Sequence, residues 1–248
     1  MHMRFFIECS FDGTPFHGWQ KQTGQTSIQE IMENTLKIIL RVPAMEITGC
    51  GRTDSGVHAA QYIAHFDHEA ELPPGLEYHW NAILPREIAV HRIWQVTPGM
   101  HARYDAISRT YQYHIHRFKS PFLVNRSFCY RQYDRMDRDI LQQAAQLLLI
   151  YTDFFPFCRS HSSAHHYGVN MSQAEWKEDS GQSLVLTVTA NRFLRGMVRL
   201  ITGMCLNVGT GALSLDEVKL SLDTQTPLSK SWSVPAHGLY LKGVRYEL

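Results

Sequence analysis

The chain has 248 residues, 44% of them apolar, with 24 Lys and Arg against 23 Asp and Glu. That length and composition allow one large folded domain or two of ordinary size, and no apolar run is long enough to span a membrane as a helix. Five scattered cysteines (Cys9, Cys50, Cys129, Cys158 and Cys205) contain no Cys-x-x-Cys pair, which argues against a disulfide framework, and the start Met1–Glu8 has neither a basic leader region nor a small-residue cleavage site, so it reads as an untargeted, cytoplasmic protein. The near-zero net charge hides an uneven distribution: residues 1–100 carry 7 Lys/Arg against 11 Asp/Glu, residues 101–248 carry 17 against 12, and residues 101–138 alone carry 8 against 3. A basic stretch in a nearly neutral chain suggests a confined footprint for a polyanion; a solvated basic face is the plainer reading of the same charges.

Arg4 to Phe11 alternates and is rich in Phe and Ile, which predicts an opening strand. Asp12-Gly13-Thr14-Pro15 is a turn, followed by Phe16-His17-Gly18-Trp19-Gln20, where aromatic residues are either core or a stacking surface for bases. Ser27 with Glu30 three residues later marks a helix start, and Ile28, Ile31, Met32, Leu36, Ile39 and Leu40 fall on one face until Pro43.

Next comes Gly49-Cys50-Gly51-Arg52-Thr53-Asp54-Ser55-Gly56-Val57-His58-Ala59-Ala60, between Met45-Glu46-Ile47 and the alternating Gln61–Phe66. It reads as strand, Gly-rich loop, strand, with one carboxylate held at the loop. The loop lacks the lysine of a phosphate-binding P-loop and the alternating acids of an EF-hand, and its Asp-Ser-Gly comes without the His and Asp partners of a serine nucleophile. An Asp bonded to its own turn is the plain alternative to a reactive one.

A short helix from Leu72-Pro73-Pro74 to about Asn81 and a strand ending near Val96 complete a strand, helix, strand, helix, strand order, that of a split βαβ unit. We therefore expect a first half over residues 1–100 and a second over 101–248. Ser108–His116 alternates strongly: Tyr111, Tyr113 and Ile115 share one face, Thr110, Gln112, His114 and His116 the other. Pro121 to Tyr133 is irregular and basic, and Arg138 to Ile150 is helical. Cys158–Tyr167, with one Cys and three His, has no recognised zinc spacing and reads as a structural or ligand-facing loop, so no metal site is expected. Met171–Trp176 and Leu184–Ala190 form a hairpin. Asn191–Arg199 is expected to enter a helix with Arg192, Arg195 and Arg199 as one basic stripe, and a helix carried by Leu215, Val218 and Leu222 and a final strand follow.

Gly51–Ala59 resembles the tRNA pseudouridine synthase A signature Gly-Arg-Thr-Asp-x-Gly-Val-His-Ala, nine positions with one free. Phe11–Gln20 is similar to the same family's Tyr-Asp-Gly-Thr-x-Phe-x-Gly-Trp-Gln, with Phe11 for Tyr. Arg109-Thr110-Tyr111-Gln112-Tyr113 resembles its Arg-x-Tyr-x-Tyr, Asp153–Phe157 its Asp-Phe-x-x-Phe, Asn191–Arg199 its Asn-x-Phe-x-x-x-Met-Val-Arg, and Pro235–Leu241 its Pro-Ala-x-Gly-Leu-Tyr-Leu. Gly168–Met171 departs from it, lacking the Arg that usually precedes that strand.

The resemblance implies an α+β fold of two split βαβ halves, ferredoxin-like or RRM-like, with mainly antiparallel sheets side by side and a central active-site cleft. It implies isomerisation of uridine to pseudouridine at positions 38–40 of the anticodon stem-loop of tRNA, by a homodimer. Asp54 is then the catalytic acid, Arg199 its ionic partner and Tyr111 the residue against the target base. Arg52, His58, Arg103, Arg109 and Arg195 are the expected RNA contacts. The isomerisation adds and removes nothing, so no cofactor, metal or small-molecule partner is expected. A scaffold that binds RNA without catalysis, or a synthase for another structured RNA, are the competing readings.

Overall fold

The computed structural model describes residues 3–158, 166–179 and 181–247. Most of the Cys- and His-bearing segment, Arg159–His165, therefore lies outside the described residues, as does Ser180 in the turn of the expected hairpin. Two compact units divide the chain: Met1–Ile107 with Tyr240–Leu248, and Ser108–Leu239. Both are α+β, with mainly antiparallel pairing.

In the first unit, β1 (Met3–Phe11) is followed by α1 (Ile28–Leu40), β2 (Thr48–Gly49), β3 (His58–His68), α2 (Leu76–Ile83) and β4 (Ile88–Val96). Strand β1 lies between β3 and β4, antiparallel to both, and β2 pairs antiparallel with β3. The expected α1 start is observed: the Ser27 hydroxyl accepts from the Glu30 N–H, and Ile28, Met32 and Leu36 turn inward with no exposed surface. Each such side chain contributes about 2 kcal/mol of burial. Trp80 of α2 is also fully buried, its indole N–H donating to Thr35 Oγ1 of α1 at 2.8 Å.

The short strand before the Asp54 loop sits later than expected, at Thr48–Gly49 rather than Met45–Ile47. The Ile47 backbone is already engaged: its N–H donates to Glu33 Oε1 (3.1 Å) and its carbonyl accepts from Gln29 Nε2 (2.9 Å), both on α1. A residue whose main chain is bonded to a helix's side chains has nothing left for a ladder.

The second unit runs β5 (Ser108–His116), β6 (Phe128–Cys129), α3 (Arg138–Leu147), β7 (Met171–Glu178), β8 (Ser183–Ala190), α4 (Met197–Gly209) and α5 (Leu215–Thr224). Strand β8 is central, antiparallel to β5 and β7, and β6 runs parallel to the end of β5. Helices α3 and α4 pack together, with Leu141, Ala144 and Ala145 meeting a nearly all-buried α4. The last strand, β9 (Leu239–Arg245), pairs in parallel with the start of β3, His58 opposite Tyr240 and Ala59 opposite Leu241.

The expected basic stripe on a helix is not there. Helix α4 begins at Met197, and Gly196 before it takes φ +72°, so Arg192 and Arg195 lie in the connection from β8 and only Arg199 is helical. Their spacing in sequence places them on no common face, because spacing has an angular meaning only inside one helix.

Candidate active-site elements

In the first unit the Asp54 loop is held by backbone. Asp54-Ser55-Gly56-Val57 is a β-turn closed by Val57 N–H to the Asp54 carbonyl (3.2 Å), and Gly56 supplies the positive φ, +76°, that its third position requires. Phe16-His17-Gly18-Trp19 backs this turn. The Trp19 N–H donates to the Thr53 carbonyl (3.4 Å), the Gly56 N–H to the Phe16 carbonyl (3.3 Å), and Ser55 Oγ to the same oxygen (3.2 Å). Gly18, at φ +84°, lies so close that a Cβ would sit 2.3 Å from the Thr53 oxygen. Two distant glycine motifs are thus halves of one structure. Beneath them Trp19 stacks on Tyr62 at 4.1 Å, and the Tyr62 hydroxyl donates to the Gly51 carbonyl.

Asp54 itself is half-buried, Arg52 is exposed and His58 is buried, 2% accessible. His58 stacks on Tyr240 at 4.6 Å, and its Nδ1 accepts from the Gly13 N–H at 3.1 Å. The Asp12 carboxylate stands 3.2 Å from the same nitrogen. The two contacts exclude each other: an unprotonated Nδ1 accepts from Gly13, and only a protonated one, giving up that bond, would donate to Asp12. Burial and these partners give His58 the position of a support under the loop, with a ring turned away from solvent.

Arg103 is exposed, its guanidinium 5.8 Å from the Tyr104 ring, in the segment leading out of the first unit. Nearby, His65 is buried on β3 and its Nδ1 accepts from the Ala102 N–H at 3.1 Å. Burial, reinforced by the Arg4 charge, lowers its pKa to about 4.

In the second unit the candidate residues stand on regular elements braced by side chains. Tyr113 and Ile115 on β5 have no exposed surface, while Tyr111 on the same face is half-buried. The Tyr111 ring meets Phe193 edge-on, at 5.1 Å and 87°. Arg109 Nη1 donates to the Asn191 carbonyl at 2.8 Å, and Asn191 Oδ1 accepts from the N–H groups of Asn170 (2.8 Å) and Arg192 (2.9 Å). Asn191 and Phe193 carry no obvious chemistry in the sequence. They join β7, β8 and β5 behind Tyr111. Arg192 lies 2.9 Å from the His166 ring, and Arg195 is exposed.

Arg199 occupies the third position of α4, where the helix dipole opposes a positive charge by roughly 0.3–1 kcal/mol. It is fixed there by Nε donating to the Val234 carbonyl at 2.7 Å, with the Val234 N–H returning to the Arg199 carbonyl at 3.4 Å. The Tyr113 hydroxyl donates to the next carbonyl, Pro235, at 2.7 Å. Burial raises the Tyr113 pKa, and the Arg199 charge pulls against that rise. A guanidinium held against its helix's dipole is not there for the helix.

The structure therefore brings Arg52, Asp54 and His58 together in one unit, and Arg109, Tyr111, Arg195 and Arg199 onto neighbouring elements of the other. Among the described residues no three His, Cys, Asp or Glu side chains converge as metal ligands. The supporting roles of Gly18, Trp19, Tyr62, Asn191 and Phe193 were not read from the sequence: four of them fall inside the motifs noted above, which gave them no role, and Tyr62 lies in a run, Tyr62–Phe66, expected to alternate but buried throughout.

Comparison with known proteins gives a consistent result. A family model described as tRNA pseudouridine synthase matches residues 144–247. A Bacteroides thetaiotaomicron protein named tRNA pseudouridine synthase A is 40% identical over 98% of this chain and 90% of its own. The Bacteroides fragilis protein of that name is 39% identical, covering 98% and 96%, and that of Bacillus subtilis 34% identical, covering 99% and 100%.

Proposed function

The chain belongs to the tRNA pseudouridine synthase A family, and from that premise we propose that it isomerises uridines of tRNA at positions 38–40 of the anticodon stem-loop, with Asp54 as the catalytic carboxylate. The observation that carries this reading is the Asp54 turn, whose backbone is fixed from behind by Phe16–Trp19 and whose acid is thereby presented in one place. Precise presentation of a single acid is what the chemistry calls for.

The reaction breaks N1–C1′ and joins C1′ to C5; the C5 hydrogen leaves as a proton and N1 gains one, so nothing is added or lost overall. Uracil C6 and ribose C1′ are both electrophilic. A carboxylate can add to either and leave again, or take a ribose proton, and every route requires it ionised and in contact with the nucleoside. In this reading Arg199 supplies the positive charge that favours and aligns the carboxylate. Tyr111, edge-braced by Phe193, lies against the base and takes up the C5 proton. The uridine must be flipped out of its stack to react, which costs a few kcal/mol. Arg52, Arg103, Arg109 and Arg195 meet the phosphates, and His58 supports the loop from beneath. Homodimeric assembly and a cytoplasmic location complete the proposal and rest on the family resemblance.

The test uses tRNA labelled with tritium at uracil C5. Wild-type protein releases tritium to water as C5 bonds to C1′. Asp54→Asn, which keeps the shape but not the basicity, releases none while binding tRNA within about twofold of wild type. Substantial release by Asp54→Asn removes Asp54 from the mechanism; an Asp54→Asn chain that does not fold shows the acid to be a structural turn residue.

A further inference from the structure

Between Asp105 and Asp134 lie 28 residues without a single carboxylate, carrying Arg109, Arg117, Lys119, Arg126 and Arg131. The middle of that stretch, in the second unit, loops out between β5 and β6. Its root is clasped: β6 pairs in parallel with Ile115 and His116, and His116 Nδ1 is 2.9 Å from Ser127 Oγ, both residues buried. The Arg117 N–H donates to the Gln182 carbonyl at 2.9 Å. The loop is also ordered within itself, by Leu123 N–H to the Ser120 carbonyl (3.3 Å) and Arg126 N–H to the Leu123 carbonyl (3.0 Å).

Such a loop has every opportunity to bury its aromatic rings, and it does not. Phe128, just past the root, turns inward to meet Trp232 at 5.9 Å. Phe122 is 87% exposed, Val124 58% and Phe118 55%, and the Arg117 guanidinium lies 4.6 Å over the Phe118 ring while bonded to Asp134 at 2.6 Å. Exposed rings on a fixed loop are available to a partner, and fixing them beforehand removes the ordering cost of binding. The chemistry selects the partner. Rings interleaved with cations over an acid-free stretch match a nucleic acid, whose bases stack on aromatic faces and whose phosphates take the charges.

We propose that residues 117–126 form a second tRNA contact, in which Phe122 stacks on an unpaired base other than the target uridine while Lys119 and Arg126 meet adjoining phosphates. This rests on the tRNA reading given above and adds a contact outside the catalytic residues.

The experiment reads binding and turnover separately. Wild-type protein and the variants Phe122→Ala, Phe122→Trp and Lys119→Ala are titrated with an unmodified tRNA transcript at several salt concentrations, and tritium release is followed at saturating tRNA. Phe122→Ala is expected to weaken binding roughly tenfold with the salt slope and saturated rate unchanged. Phe122→Trp, which keeps a ring, restores affinity, and Lys119→Ala lowers the slope by about one. Unchanged affinity in Phe122→Ala overturns the proposal, as does a loss that Phe122→Trp fails to restore. A sedimentation shift in Phe122→Ala also overturns it and assigns the loop to contact between copies. If wild type binds the transcript but releases no tritium, while Phe122→Ala still loses affinity, the contact stands and the proposed reaction falls.

Discussion

Asp54 stands on a loop whose backbone is fixed by other backbone, whereas Tyr111 and Arg199 stand on a strand and a helix that side chains brace. In the first unit Thr53, Gly56 and Val57 are tied to Phe16, Trp19 and the turn itself, with Gly18 in close contact from behind. In the second, Phe193 buttresses Tyr111, and Arg199 reaches across to Val234. The two arrangements fail differently. The first is sensitive to a Cβ where there is none and the second to the loss of side-chain atoms already present.

The largest effect that sharpens this contrast is expected from Arg199→Ala. If Arg199 aligns the Asp54 carboxylate as proposed, removing it lowers turnover on the order of 10²–10³-fold. Stability changes by only about 1 kcal/mol, because the lost bond to Val234 is offset by relief of the helix dipole. Turnover measured beside thermal unfolding checks both halves; a variant that chiefly unfolds would make Arg199 a structural brace. Gly18→Ala should act in the reverse sense. It destabilises by about 2 kcal/mol through the left-handed backbone and the crowding on Thr53, and the displaced turn lowers turnover by roughly 10²-fold. Normal activity and melting in Gly18→Ala would show that the turn is not held from behind.

Phe193→Ala is a smaller change. An edge-on aromatic contact is worth about 1 kcal/mol, so turnover should fall several-fold, with tRNA affinity little changed. Phe193→Leu should recover part of it; an equal loss in both would place the effect in ring geometry alone. The effect with no expected bearing on turnover concerns acid. His65 titrates near 6.5 unfolded and at about 4 folded, so the unfolded chain binds the extra proton between those values. Stability should therefore be full above pH 6.5 and decline as pH falls toward 4. His65→Gln, which keeps an acceptor for Ala102 without a titrating ring, should flatten that decline in urea melts across the range. An unchanged slope would assign the acid sensitivity to other groups.

What was readable in the sequence follows the range over which each cause acts. The Ser27 cap, the β5 strand and the β7–β8 pairing are set by neighbours within a few residues, and all are present in the structure, although His116, expected opposite Ile115, is buried with it. The equal treatment of Tyr111 and Tyr113 in an alternating strand gives way to one half-buried and one fully buried ring, because what covers them comes from residues 193 and 235–238. The arginine stripe failed on one backbone angle at Gly196. Ile47 left its expected strand because two side chains of α1 had taken its main-chain groups. For the candidate site, the acid was legible as a motif, while the reason it is rigid lies 36 positions earlier, at Gly18 opposite Asp54.

The pairing of β9 with the start of β3 also has a consequence in time. His58 and Ala59, which lead out of the Asp54 turn, find their partners in Tyr240 and Leu241. On a ribosome the first unit emerges, and then the whole of residues 108–239 is made before that partner strand exists. Until then the edge of β3 beside the Asp54 turn lacks that partner and is open to a neighbouring nascent chain. The Asp54 loop is thus the last part of its own unit to be completed, and a chain stopped short of Tyr240 would carry Asp54, Tyr111 and Arg199 yet leave that loop unfinished.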